Sequence, residues 1–356
     1  MHRPLSQCRP PTRRQRGLTL IELMISITIG LFMVGAIGYL YLTSRGAYRS
    51  NAALSRVQED GRFGLDTLMH DARAVGDIGC NAAATVHGAG VLALPGDAVS
   101  GQRVFSGPAT ELYGVDASGY QFSGATSNFV APTGAVPPAP PWIAGDVVQM
   151  VIPTSKPVAI TADVTATAAA LADNTALLRQ GDVLLLANCV NAALATVTTT
   201  PVGTGPVTVQ INANPLPPAA VPQLTVATHA SAQRVDAVTY YVGQFPGRPW
   251  PALYRYSATY NTAEEVVDHV ENMSVLYGVG TAAPVPAATI TANGQWDKVT
   301  SVRVSLQVLG DEYSTAASTT AGFTSVSLVP GVAYSAPDSR MRQVFTATAA
   351  VRNRLP

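Results

Sequence analysis

The chain has 356 residues, of which 22 are basic and 22 acidic, so its formal net charge is zero. Charged residues make up 12% of the sequence and apolar residues 47%, a composition that excludes a charge-rich disordered protein. Three cysteines are too few for a disulfide scaffold or a multi-zinc module. Because one segment alone is long and apolar enough to span a bilayer, a polytopic membrane protein is excluded as well.

Basic charge is concentrated at the N-terminus. Residues 1–17 contain five arginines and no acidic residue, leaving 17 basic and 22 acidic residues from Leu18 onward, a net charge of −5. Residues 18–42 follow with a single charged side chain, Glu22, and residues 23–42 can cross about 30 Å of hydrocarbon as a helix. The positive-inside rule therefore predicts a cytoplasmic N-terminus and an exported remainder.

Glu22 is unusual in such a segment, because a carboxylate at mid-bilayer costs about 2.5–3.5 kcal/mol. It could lie at the headgroup level of an ordinary uncleaved anchor, or it could have a functional partner. A cleaved secretory signal is disfavoured, since the apolar run is long and no small-x-small site closes it.

The string RGLTLIEL at residues 16–23 resembles the prepilin peptidase signature of type IV pilins and type II secretion pseudopilins. The resemblance implies cleavage between Gly17 and Leu18, and pairing of Glu22 with the new amino group of a neighbouring subunit. Major pilins usually present Phe at the first mature position. This chain has Leu18 there, so the resemblance implies cleavage before Leu18 and leaves its N-methylation open.

Helical periodicity continues beyond the membrane segment. Apolar residues recur at three- and four-residue spacing through residues 54–72, and no proline occurs in residues 18–94. These patterns predict one helix from Leu18 to about Ala74. Its six glycines each weaken the helix by about 1 kcal/mol relative to Ala, so we expect it to bend.

The remainder has β character. Alternation predicts a half-buried strand at 302–308, a strand at 341–352, a hairpin of 235–242 with 252–256, a strand pair of 182–187 with 195–200, and strands at 146–152 and 207–211. Proline- and glycine-rich segments at 131–145 and 213–222 are predicted to be loops. We expect an α+β fold, with a long N-terminal transmembrane and stem helix packed on a predominantly antiparallel β head. The predicted divisions are 1–17 (cleaved leader), 18–75 (helix) and 76–356 (head).

Four further segments are similar to the PilW group of type IV pilus minor pilins: 77–80, 238–256, 266–279 and 340–354. This resemblance implies a non-enzymatic minor pilin that helps prime pilus assembly and sits at or near the tip. The implied partners are other minor pilins, the major pilin, the prepilin peptidase, the inner-membrane assembly platform and a large tip adhesin. The implied location is the inner membrane, as a single-pass protein with a periplasmic head, and then the pilus at the cell surface.

Two alternatives stay open. The chain could be a J-type minor pseudopilin of a type II secretion system, although its head is larger than that resemblance suggests. It could also be a pilin-anchored adhesin or carbohydrate-binding module, if the loop tryptophans Trp142, Trp250 and Trp296 form an exposed aromatic platform.

No catalytic motif occurs in the sequence, and we predict no catalytic residue, cofactor or metal. Asp268, His269 and Glu271 could suggest a metal pair, but such residues are more often the solvated face of a strand or short helix. The C-terminal arginines 340, 342, 352 and 354 are predicted to form a solvated strand edge. Nucleic-acid binding is not expected, because the exported chain is acidic and has two lysines.

Cysteine positions predict one disulfide. Cys8 is lost with the leader, so the exported chain has Cys80 and Cys189, both on the oxidising side of the membrane. Cys80 ends the stem junction, and Cys189 lies between two predicted strands. A bond between them is the expected pairing, and two unrelated buried thiols are the alternative.

We predict that the mature chain begins LTLIEL. Mass spectrometry of the membrane-extracted protein should find residues 1–17 absent, because a glycine lets the backbone approach a peptidase site closely. A bulky β-branched residue at position 17 should block processing, whereas Gly17→Ala should retain part of it. Recovery of the wild-type chain with residues 1–17 attached would contradict the prediction.

Overall fold

The computed structural model describes residues 19–76, 85–87, 93–94, 103–104, 112–115, 132, 134–213, 224–310, 328, 338 and 340–351. Contacts between residues divide the chain into two units, residues 1–52 and residues 53–356, and each unit is described by itself.

One long helix, α1, runs from Leu20 to Ala74 and confirms the predicted helix. Gly76 follows with φ 78°, a left-handed conformation that commonly terminates helices. In the second unit, the residues of α1 that face the head are buried at helical spacing, among them Val57, Leu65, Leu68 and Ala72.

The head contains sixteen strands among its described residues, and nearly all of them pair antiparallel. In chain order they are β1 (Thr85–His87), β2 (Ala93–Leu94), β3 (Arg103–Val104), β4 (Leu112–Val115), β5 (Trp142–Pro153), β6 (Val158–Ala159), β7 (Ala168–Leu171), β8 (Val183–Ala187), β9 (Asn191–Val197), β10 (Val207–Asn212), β11 (Ser231–Gly243), β12 (Ala252–Ser257), β13 (Thr262–Asp268), β14 (Val270–Val279), β15 (Val299–Leu309) and β16 (Arg342–Ala350). A short helix, α2, spans Ala287–Ala292.

An eleven-stranded sheet has the order β13-β12-β11-β8-β9-β10-β7, and β5, β6, β4 and β1 pair off this path. Strand β11 is its centre, because its N-terminal part pairs with β6 and β8 while its C-terminal part lies between β5 and β12. Strands β14, β15 and β16 form a separate three-stranded sheet, and β2 pairs with β3. The observed helix and antiparallel head confirm the predicted α+β class.

Most predicted strands are present, with three corrections. Strand β5 begins at Trp142, so the last four residues of the predicted 131–145 loop are strand. Strand β9 begins at Asn191 rather than at residue 195. Strand β15 is more buried than predicted, since Ser305 and Gln307 are also covered where β15 lies between β14 and β16. The predicted loop at 213–222 lies outside the described residues except for its first position.

Four apolar cores lie among the described residues of the head, and the two largest bear on the position of α1. The larger core joins the buried side of α1 to strands of both sheets and to α2, and includes Leu68, Tyr240, Met273 and Val304. A second core is formed within β6 to β11 and includes Leu171, Leu186 and Val209. Helix α1 therefore packs in one core and is absent from the other.

Two glycines let α1 approach the sheets. A side chain at Gly61 would overlap the ring of Phe345, and a Cβ at Gly64 would lie 2.7 Å from Val267 Cγ1. These glycines are close-contact positions of a helix face, a role that helical periodicity alone does not reveal. A Cβ at Gly46, in the first unit, would meet no atom within 4 Å.

Gly64→Val is expected to destabilise the head by about 2 kcal/mol, since overpacking a close contact typically costs about 1–3 kcal/mol. Gly46→Val is the matched control, because it changes helix propensity by the same amount with no contact to disturb. Thermal unfolding of the detergent-solubilised chain should show a lower midpoint for Gly64→Val, and addition of Val267→Ala should recover part of the loss. Equal midpoints for the two glycine variants would contradict the close contact.

Candidate functional site: helix α1 and its attachment to the head

The N-terminal part of α1 carries an extended apolar surface. Every large apolar side chain from Leu20 to Leu42 is exposed within the first unit. Helix α1 is also long and apolar enough, by length and composition, to cross a membrane. Such a surface requires lipid or neighbouring apolar helices to cover it.

Glu22 lies in the first turn of α1 and forms a capping box with Thr19. The backbone N–H and the hydroxyl of Thr19 donate to Glu22 Oε2 at 3.1 and 3.0 Å. In return the backbone N–H of Glu22 donates to Thr19 Oγ1 at 3.3 Å. A capping box satisfies donors that the first turn of a helix leaves without partners. The sequence pattern T-x-x-E at 19–22 could have identified this role of Thr19.

The other predicted site residues are described in part. Gly17, Leu18 and Cys80 lie outside the described residues. Cys189 lies in the turn between β8 and β9, which confirms the hairpin around it. Cys189 is disulfide-bonded.

Asp71 attaches the end of α1 to the large sheet. Its Oδ2 accepts hydrogen bonds from Tyr240 Oη at 2.7 Å on β11 and from Arg255 Nε at 2.9 Å on β12. Burial raises the pKa of Tyr240, and the neighbouring Asp71 charge raises it further. Burial opposes the charge of Arg255, yet Asp71 raises the pKa of its guanidinium overall. Asp71 is therefore a charged partner for two strands, a role that the helical pattern does not reveal.

A second buried ion pair attaches the C-terminal strand. Arg342 on β16 is fully buried and meets Glu271 on β14 in a two-pronged contact, with Nε–Oε2 2.7 Å and Nη2–Oε1 3.0 Å. Gln307 and Asp338 complete the group, at 2.9 Å from Glu271 Oε2 and 2.7 Å from Arg342 Nη1 respectively. Although partial burial opposes it, hydrogen bonding to Arg342 and Arg340 lowers the pKa of Asp338 to about 2.

The predicted solvated edge of C-terminal arginines is wrong for Arg342, which is buried, while Arg340 is paired with Asp338. Residues 352 and 354 lie outside the described part of the chain. The prediction that residues 268–271 form a solvated face is also wrong, because His269 and Glu271 are buried and Asp268 alone of the three is exposed.

The tryptophans form no exposed platform. Trp296 is buried against Tyr277, with ring centroids 4.8 Å apart. Trp142 begins β5 and is half-buried. Trp250 is also half-buried and stacks on His269. These three tryptophans therefore do not form the exposed aromatic platform on which the adhesin alternative depends.

Two protein-family models match the chain. Residues 239–353 match the family described as type IV pilus-assembly protein W, and residues 12–38 match the prokaryotic N-terminal methylation motif. These findings confirm the resemblance to the prepilin signature and to the PilW group, although the segment 77–80 lies outside both matches. No curated protein and no solved structure matches.

The longer match has a structural meaning. Residues 239–353 contain β12 to β16 and contribute most of the strands that pack on α1. The second apolar core is built from residues 158–232 and lies outside the match. The matched region thus supplies most, but not all, of the core that contains α1, since β5 lies outside it.

Proposed function

We propose that this type IV pilus minor pilin-like protein is a non-enzymatic subunit that helps prime pilus assembly and sits at or near the pilus tip. The observation that carries the proposal is the exposed apolar surface of α1 from Leu20 to Leu42, with Glu22 at its start. Lipid covers this surface before assembly, and the helices of neighbouring subunits cover it in the fibre.

The proposed location follows from the same helix. The chain is held in the inner membrane by α1, with its arginine-rich leader in the cytoplasm and its head in the periplasm, until the assembly platform extracts it. Its proposed partners are the prepilin peptidase, the other minor pilins, the major pilin and a tip adhesin.

A position at the tip is favoured by the size of the head. The second core adds strands β6 to β10 to the part that packs on α1. A bulky head clashes less with its neighbours at the end of a fibre, where one side is free, than within a closely packed helical array.

Glu22 has two separable roles in this proposal. Its carboxylate caps α1 through Thr19, and its negative charge pairs with the amino group at Leu18 of a neighbouring subunit in the fibre. A cation at a helix N-terminus is disfavoured by the helix dipole, so the amino group gains from a carboxylate partner.

Glu22→Gln is expected to impair priming, because glutamine can still accept the Thr19 hydrogen bonds but carries no charge. Thr19→Ala is the matched control, since it removes the cap, worth about 1 kcal/mol, and keeps the charge. Pili counted by electron microscopy, in a strain expressing each variant as its sole copy, should fall severalfold for Glu22→Gln and stay near wild type for Thr19→Ala. Membrane insertion should persist in both.

Normal piliation with Glu22→Gln would show that the charge is dispensable and that Glu22 is a helix cap. Gold labelling of the head in wild-type fibres addresses its position. Label at fibre ends supports the tip, whereas label spaced along the fibre contradicts it.

We also propose that Cys80 is the disulfide partner of Cys189. Strand β1 runs parallel to β9, with Thr85 opposite Asn191, two residues after Cys189. Five residues separate Cys80 from Thr85, a span of at most about 17 Å. Adjacent strands are about 4.8 Å apart, so Cys80 can reach the turn that holds Cys189.

Peptide mapping under non-reducing conditions should recover Cys80 linked to Cys189. A bond between Cys80 and Cys189 closes a loop of about 110 residues, which stabilises a folded chain by about 4.7 kcal/mol in the chain-entropy model. Cys80→Ser should therefore lower the unfolding midpoint and leave leader cleavage unchanged, and Cys8→Ser is the control that should alter neither. Two free thiols at positions 80 and 189 would contradict the pairing.

A further inference from the structure

Three side chains with metal-ligand chemistry meet where α1 passes the junction of β13 and β14. Asp60 comes from α1, Asp268 is the last residue of β13, and His269 connects that strand to β14. One carboxylate oxygen from each aspartate and one ring nitrogen of His269 lie within 4.8 Å of one another. All three residues belong to the second unit of the chain.

His269 is the observation that points to a ligand. It is 6% exposed, and neither of its ring nitrogens forms a hydrogen bond. Its Nδ1 lies 3.1 Å from Asp268 Oδ1, but the alignment is not that of a hydrogen bond. A buried polar group without a hydrogen-bond partner is destabilising, so a ligand that binds one of these ring nitrogens would remove part of that cost.

The distances suit two ligands of one ion. Nitrogen and oxygen atoms that bind zinc tetrahedrally at about 2.0–2.2 Å lie roughly 3.4 Å from each other. The 3.1 Å between His269 Nδ1 and Asp268 Oδ1 is close to that edge. Asp268 is exposed and Asp60 is half-buried, so small side-chain rotations can bring a carboxylate oxygen of Asp60 nearer to the other two ligand atoms.

Neighbouring residues hold the imidazole in place. The Trp250 ring stacks on it, with centroids 4.9 Å apart and planes 31° apart. The guanidinium of Arg340 lies over the Trp250 ring, 4.9 Å from the ring centroid. The backbone oxygen of His269 accepts a hydrogen bond from the Leu309 N–H at 2.8 Å, which fixes the main chain to β15.

We propose that Asp60, Asp268 and His269 bind one divalent transition-metal ion of the Zn²⁺ type. One imidazole and two carboxylates suit zinc, whereas Ca²⁺ takes six to eight oxygen ligands and Mg²⁺ retains its waters. An open pocket of about 390 Å³ beside the cluster leaves space for a water ligand, and Glu59 and Glu265 line it with further negative charge.

The bound ion cross-links the stem helix to the head, because its ligands come from α1 and from the β13–β14 junction. Two carboxylates that repel each other are then joined through a common cation. This cross-link is independent of the proposed role in pilus priming, since it concerns the folding of the second unit alone.

The test is calorimetric titration of the tag-free, chelator-treated, detergent-solubilised full chain with ZnCl₂. One equivalent should bind and raise the unfolding midpoint. Asp60→Asn and His269→Asn should each weaken binding at least tenfold. Asparagine suits position 269 because it tolerates the left-handed backbone found there, φ 59°. Glu59→Gln is the matched control, since Glu59 lines the pocket without belonging to the cluster, and it should leave affinity within about threefold.

Cobalt substitution identifies the ligands directly, because Co²⁺ bound by imidazole and carboxylates has visible absorption bands that His269→Asn should shift or remove. Absence of zinc binding, equal affinity in Asp60→Asn and wild type, or binding of CaCl₂ in preference to ZnCl₂ would each overturn the proposal. If His269→Asn fails to fold, Asp60→Asn decides the outcome, because Asp60 is only half-buried and its substitution is the milder change.

Discussion

Close packing of α1 on both sheets is the constraint on which the rest of the head depends. At Gly61 and Gly64 the helix lies so close to residues of β13 and β16 that no side chain fits between them. Through this contact, one helix face, the large sheet and the three-stranded sheet share a single apolar core. A core with three walls loses packing at all of them when one wall moves, because protein interiors are filled at crystal-like density.

Charged groups set the position of this packing along the helix and the strands. Asp71 meets Tyr240 and Arg255, while Glu271 meets Arg342, and both contacts join elements far apart in sequence. Buried ion pairs add little stability relative to well-packed apolar residues, but removal of one partner costs about 3–5 kcal/mol. A shift of α1 by one turn or of β16 by one residue would therefore leave a buried charge without its partner.

The amino-acid sequence predicted the helix and most strands because each has a local signal. Apolar spacing located α1, and alternation located β15 and the hairpin of β11 with β12. The same signals failed where burial depends on what lies on either side. Alternation in β15 indicated a half-buried strand, but β14 and β16 flank it and its polar residues are covered as well. The prediction that Asp268, His269 and Glu271 face solvent failed for the same reason, since His269 and Glu271 are buried.

What the sequence by itself determined lies in contiguous residues: the basic N-terminus, the string at 16–23 that resembles a prepilin peptidase signature, the apolar segment with Glu22, and the periodicity of each element. Each of these features is contiguous in the chain, so no fold is needed to recognise it. Tertiary structure alone decided that Asp71 meets Arg255, that Asp60 lies beside Asp268 and His269, and that Gly64 touches Val267. These partners come from α1 and from β12, β13 and the residue between β13 and β14, which are distant from α1 in the sequence. Their meeting depends on which faces share a core, a property that no local pattern encodes.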